Sequence, residues 1–316
     1  MKDPNMTTTS RYSTHVSRRV FLGALGAGAG LIGLPFSLRA APGAAGPAIA
    51  FDGDALILAE GTLSRSDGAG GWIDLSVPAA GSILSLATHP GRSGRVAAGL
   101  AGGGIALSED GGHSWELRSQ GLPDAAVTAV TVAATESDTI YAAIRGDGLW
   151  KSEDAGQSWA LAMDRPWLKD AERDLTALTS VDLATGMGGI WIYAGTELGL
   201  TRVPDCFCRW QDVQPSDAME ALASGKPAPS EAPLPQGEAI NGLVSAASLP
   251  TQLYAALHSG IWESRDAGVV WSQRSSTSAL AVAVHPANPE HVVAITGDGF
   301  VESRDGGANW TALARA

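Results

Sequence analysis

Helical periodicity is nearly absent from this chain of 316 residues: no long segment carries an apolar stripe at three- and four-residue spacing, which argues against a bundle or a helical solenoid. Basic charge is also scarce. The first forty residues hold five basic side chains (Lys2, Arg11, Arg18, Arg19, Arg39) and one acidic (Asp3), so the remainder sets sixteen basic residues against thirty-two acidic ones. Such a surface repels nucleic acid and anionic lipid heads, because both need a basic footprint. Basic partners or cations are its natural complement, although the same charge also serves solubility. Cysteine occurs only at 206 and 208, and no Cys-x-x-Cys-His is present, so covalent haem is excluded.

What the chain has is repetition. A glycine, an aspartate six residues on and a tryptophan five further return six times: Gly104, Asp110, Trp115; Gly148, Asp154, Trp159; Gly260, Asp266, Trp271; and Gly299, Asp305, Trp310 are the clear copies. Gly61, Asp67, Trp72 and Gly199, Asp205, Trp210 are worn ones. The aspartates lie 43, 44, 51, 61 and 39 residues apart. That is the period of a four-stranded propeller blade. The clear copies read Ser-x-Asp-x-Gly-x-x-Trp: an aspartate accepting backbone amides just ahead of it pins a tight hairpin, and glycine supplies positive φ. Each tryptophan then opens a fourth strand, where its ring covers a blade edge and its N–H reaches a carbonyl. β-Branched runs such as Val127–Val132 and Leu280–Val284 read as innermost strands, and Ile140–Ile144, Ile190–Tyr193 and Leu253–Leu257 as second strands. The expected fold is all-β, a single propeller of six four-stranded blades over residues 47–316.

These boxes resemble those of the BNR or Asp-box repeat family over about residues 50–316, and within it the chain is similar to the single-propeller proteins of the photosystem II stability/assembly factor type in the sialidase/sortilin superfamily. The resemblance implies that the box aspartates and tryptophans sit at the outer rim and are structural. It implies a non-enzymatic scaffold that helps assemble or stabilise a membrane-associated or redox complex. The photosynthetic members carry a basic patch, from which the acidic balance here departs. Sialidases use an arginine triad and a tyrosine–glutamate pair; here Tyr141, Tyr193 and Tyr254 fall in second strands and no Arg-Ile-Pro occurs, so that activity is not expected.

Residues 1–46 read as a signal and small-residue linker. Arg18 and Arg19, with Phe21 two places on and an uncharged, glycine-rich stretch to Leu38, form a twin-arginine export signal, placing the mature protein in the periplasm. The stretch is about long enough to span a bilayer, so an uncleaved anchor is the competing reading. The mature protein is expected to be a monomer, with membrane contact only through such an anchor.

In a propeller the strand two-to-three turns and the blade junctions share one face, and both insertions, 163–179 and 211–239, fall there. Long loops on a rigid scaffold are where recognition usually lives. The first reads as a short helix begun by Asp164 with Pro166 in its first turn. It holds Arg165 and Trp167, the one tryptophan without a repeat role, which reads either as an interface anchor or as a cap between blades. The second contains a helical turn over 216–222, then a proline-rich stretch at 225–237 that reads as a mobile linker. Turn residues Arg145, Asp147, Glu197, His258 and Asp298 join the same face. A carboxylate pair among them could serve a glycan hydrolase, although Gly-Asp-Gly is also plain turn chemistry.

Blade four replaces its box with Asp205-Cys206-Phe207-Cys208. In an exported protein these cysteines read first as a disulfide, in a ring so small that the bond is reducible rather than a structural staple. Alternatives are free or intermolecular thiols, or two thiolates that with Met187 hold a soft ion such as copper(I). Apart from that alternative, no cofactor is expected.

Overall fold

The computed structural model describes residues 46–67, 70–183, 189–214 and 232–314. These contain strands and no helix. Arg18, Arg19, Met187 and the turn expected at 216–222 lie outside them.

Six antiparallel sheets follow one another as blades of a propeller. Blade one is β1 (Ala48–Asp52), β2 (Ala55–Glu60), β3 (Thr62–Ser66) and β4 (Trp72–Leu75). Blade two is β5 (Ile83–Thr88) to β8 (Glu116–Leu117), through β6 (Val96–Leu100) and β7 (Ile105–Ser108). Blade three is β9 (Val127–Val132), β10 (Ile140–Ile144), β11 (Gly148–Ser152) and β12 (Ala160–Asp164). A small hairpin of β13 (Trp167–Leu168) and β14 (Ala171–Glu172) follows. Blade four has three strands, β15 (Leu175–Asp182), β16 (Ile190–Thr196) and β17 (Gly199–Pro204); its fourth is reduced to a bridge between Arg202 and Gln211. Blades five and six are complete: β18 (Ile240–Ala246), β19 (Leu249–Leu257), β20 (Gly260–Ser264), β21 (Trp271–Ser275), then β22 (Ala279–His285), β23 (Asn288–Thr296), β24 (Gly299–Ser303), β25 (Thr311–Ala312).

The core consists of layers between blades, and the period-two geometry of a strand explains it. In β10, Ile140, Ala142 and Ile144 pack toward blade two beside Ile105 and Leu107. The alternate residues Tyr141 and Ala143 pack toward blade four beside Ile192 and Ala194. A strand covered on both faces must be apolar throughout, which is why second strands read as unbroken hydrophobic runs. Small residues let neighbouring blades approach: a Cβ on Gly195 would lie 2.7 Å from the Ile240 side chain of the next blade. The ring closes without a shared strand. Ile49, Phe51, Leu56 and Leu58 of blade one pack on Ala281, Ala283, Val293 and Ile295 of blade six. Polar ties cross the seams too, with Arg65 donating to the Gly111 carbonyl, Arg95 ion-paired to Asp138, and His285 to Asp54 at 2.8 Å.

The recurrent hairpins show what each motif residue does. Ser108 Oγ accepts the Gly112 amide at 2.8 Å and donates to Asp110, whose other bonds come from the amide and hydroxyl of Ser114 at 2.8 and 2.6 Å. Ser152–Asp154–Gly156 and Ser303–Asp305–Gly307 repeat this, as do Ser264, Asp266 and Gly268. Asp67 accepts the Gly71 amide in the same way. With these donors around them, Asp110 and Asp154 are pulled down to about 2, and Asp305 is lowered for the same reason. The tryptophans reach back. Trp115, Trp159, Trp210 and Trp310 donate their indole N–H to the carbonyls of Ser76, Arg118, Asp164 and Arg274, all in or just after the last strand of the preceding blade. Trp271 instead bonds Gly268 in its own hairpin.

Candidate binding face and rim groove

The first insertion is a β-hairpin, which corrects the expected helix. Arg165 precedes a proline and is thereby held extended, and so short a segment gains too few helical bonds to offset nucleation. Lys169 and Asp170, with φ of 48° and 65°, form a two-residue turn of the kind that matches strand twist. Ion pairs then fasten the hairpin. Arg165 pairs with Glu172 and, at 3.2 Å, with Asp174, which also accepts the Gly146 amide from the two-to-three turn of blade three. Arg173 pairs with Glu197 in the corresponding turn of blade four at 2.7 Å. Two adjacent blades thus hold one hairpin, whose Trp167 is 67 % exposed. It is not a buried cap.

The other face residues are placed in the strand two-to-three turns, and each serves local structure. Asp147 accepts the indole N–H of Trp150 at 2.6 Å, and Trp262 bonds Ser259 in the same way in blade five. Arg145 donates its amide to Ala126, and Asp298 donates its own to Thr296. His258 lies 3.1 Å from the Ser278 hydroxyl. No two of Asp147, Glu197 and Asp298 share a bonding partner, and none of them lines the cavities described below.

The second insertion differs from expectation at its end. Ala232 pairs with Val270 and accepts the Trp271 amide at 2.7 Å, and Leu234 is buried in the seam between blades four and five. An apolar side chain at the right distance from a seam anchors even a proline-rich run.

Three cavities stand out. The central channel holds about 250 Å³ at the ends of the innermost strands nearest the strand one-to-two loops, and about 80 Å³ at the opposite mouth. Its polar groups bond across blades: Thr88 to the Phe51 carbonyl, His89 to that of Ala134, and the Ser245 amide to Thr179. The third, about 420 Å³, is a groove at the outer edge of blade four between Trp167 and Leu168 on one side and Arg209, Trp210 and Gln211 on the other. Sequence reasoning missed this groove, because it arises where blade four lacks a full fourth strand.

Just before Arg209 in the chain comes the exception among the hairpins. Cys206 and Cys208 form a disulfide, with Cα atoms 5.5 Å apart. Their sulfurs are therefore not thiolates here, and among the described residues no group of three or more metal-binding side chains occurs. Asp205 turns away from its own hairpin to accept the Tyr141 hydroxyl at 2.6 Å and to pair with Lys151 at 3.2 Å, both from blade three. Burial, then Asp205, pushes the Tyr141 hydroxyl well above its ordinary range.

No family model and no curated protein matches the chain. Among solved structures, a GH74 xyloglucanase from Xanthomonas campestris is similar at 18 % identity and a TM-score of 0.55, over 86 % of this chain and 47 % of that one. YCF48 bound to D1 peptide is similar at 14 % identity and a TM-score of 0.50, over 81 % and 75 %. YCF48 from Cyanidioschyzon merolae is similar at 13 % identity and 0.50, over 81 % and 80 %. The chain spans about half the length of the xyloglucanases it matches. Identities this low establish the propeller fold and nothing finer.

Proposed function

We propose that this chain is an exported, non-enzymatic scaffold of the Asp-box type whose elaborated face binds a protein partner during assembly or stabilisation of a membrane-associated or redox complex. The observation that carries the reading is the insertion hairpin: an exposed tryptophan on a base fixed by ion pairs to two blades. A rigid aromatic anchor loses little entropy on binding, which is what an interface hot spot requires. The acidic surface favours a basic partner. The twin-arginine pair at Arg18 and Arg19 supports export of the folded protein to the periplasm, where it works as a monomer without a cofactor.

The fold is shared with both xyloglucanases and YCF48, so fold does not choose between hydrolase and scaffold. The bonding of the carboxylates favours the scaffold. Asp147 is committed to Trp150 and Glu197 to Arg173, in different blades and away from the cavities. The test is quantitative affinity isolation from the native cell envelope with wild type, Trp167→Ala and Asp147→Ala. The scaffold reading expects a discrete set of proteins lost with Trp167→Ala and kept with Asp147→Ala. Hydrolysis of an exported glycan that Asp147→Ala abolishes would overturn it.

A further inference from the structure

Blade four spends its only two cysteines on a bond its hairpin does not need. Four other hairpins of the same kind are held by a serine, an aspartate and backbone amides. In blade four the Phe207 amide donates within the turn to Pro204 at 2.8 Å, and the remaining hold comes from outside it: the Asp205 amide donates to Ile190 at 3.0 Å, and the Asp205 carboxylate is bonded to Tyr141 and Lys151. Phe207 packs beside the Tyr141 ring at 6.0 Å in the seam between blades three and four. The bond closes a loop of three residues, which removes little freedom from the unfolded chain. Both cysteines are nonetheless exposed. Structure is served by Asp205 and Phe207, and the two cysteines lie at the surface.

One cation packs on the residue between the two cysteines, and another follows them in sequence. Lys151 Nζ lies 5.6 Å over the Phe207 ring, with Asp205 and Glu153 as its carboxylate partners. Arg209, the residue after Cys208, is exposed and makes no ion pair among the described residues. Nearby positive charge stabilises a departing thiolate, and a thiolate that leaves readily makes a disulfide exchange quickly.

We propose that Cys206–Cys208 is a thiol–disulfide exchange site that accepts two electrons from two thiols, carried by one incoming molecule or by two. A deprotonated thiol attacks one of the two sulfurs, forming a mixed disulfide, while the electron pair of the Cys206–Cys208 bond passes to the other sulfur, which leaves as a thiolate and takes a proton. A second thiolate then attacks the incoming sulfur of the mixed disulfide, and the remaining cysteine departs and is protonated. The incoming pair is oxidised to a disulfide, and Cys206 and Cys208 are reduced to thiols. The site does not depend on the scaffold reading, since a small thiol can use it as well as a protein one.

The test uses the oxidised full-length mature protein with reduced glutathione or, in parallel, a reduced peptide bearing two cysteines, followed by alkylation and mass measurement. The expected result is loss of the Cys206–Cys208 bond in folded protein, with tryptophan fluorescence unchanged, and one peptide disulfide formed per chain. Cys206→Ser, treated instead with oxidised glutathione, takes up one glutathionyl group on Cys208 and releases one reduced glutathione; Cys206→Ser/Cys208→Ser oxidises nothing. A peptide reacting faster than glutathione at equal thiol concentration points to a protein dithiol, and equal rates point to a small thiol. The proposal is overturned if the bond resists both until denaturant is added, if the air-oxidised protein holds two free thiols, or if the double variant oxidises the peptide as wild type does.

Discussion

Blades three and four sit side by side and close the same kind of hairpin by different chemistry. In blade three Ser152 and Asp154 hold three of the turn's amides from within, while the Ala155 amide donates to the Asp138 carbonyl and Trp159 reaches back to that of Arg118. In blade four the serine and glycine are gone, the aspartate bonds to the neighbouring blade, and two cysteines occupy the exposed tip. A hairpin whose geometry is guaranteed from outside is free to carry chemistry at its tip. Blade four is also the blade without a full fourth strand, and the groove at Trp167 opens along that edge.

The sharpest way to break this contrast is to remove the tryptophans. Trp159→Ala, at a buried indole with two carbonyl partners, should cost about 3–5 kcal/mol in urea unfolding, and Trp210→Ala, half-buried beside an open groove, distinctly less. Ser152→Ala leaves the buried Gly156 amide without its acceptor and should cost about 1–3 kcal/mol. No change in the unfolding midpoint would show that the hairpin is held by packing alone. Acid sharpens the comparison further. Asp110 and Asp154 titrate at about 2 when folded, below the ordinary 3.8, so the unfolded chain takes up protons first and stability falls as pH drops from about 4 toward 2. In Asp154→Asn that decline should be shallower, whereas the double cysteine variant should keep the wild-type slope. The smallest effect is expected from Cys206→Ser/Cys208→Ser itself, at most about 1.6 kcal/mol, because the closed loop is so short.

Much of this architecture was legible beforehand. Repeat spacing gave six blades, and unbroken apolar runs at 140–144 and 190–193 marked strands buried on both faces. The role of Ser108 and its equivalents was not read, since a serine two residues before an aspartate carries no signal until the backbone bends around it. The hairpin at 167–172 was misread because Asp164 and Pro166 are equally good helix openers, and only Arg165 and Arg173, meeting acids supplied partly by other blades, settle the strand. The groove depends on a missing strand in blade four, which a worn repeat hints at but does not locate.

The most direct measurement is site-specific photocrosslinking in the native envelope, with the photoreactive residue placed at Trp167 or, as a rim control, at the exposed Leu117 of blade two. A discrete protein adduct from position 167 that is absent from position 117 is the predicted result. Equal labelling from both positions, or none from 167, would contradict the claim that this face is where the protein meets its partner.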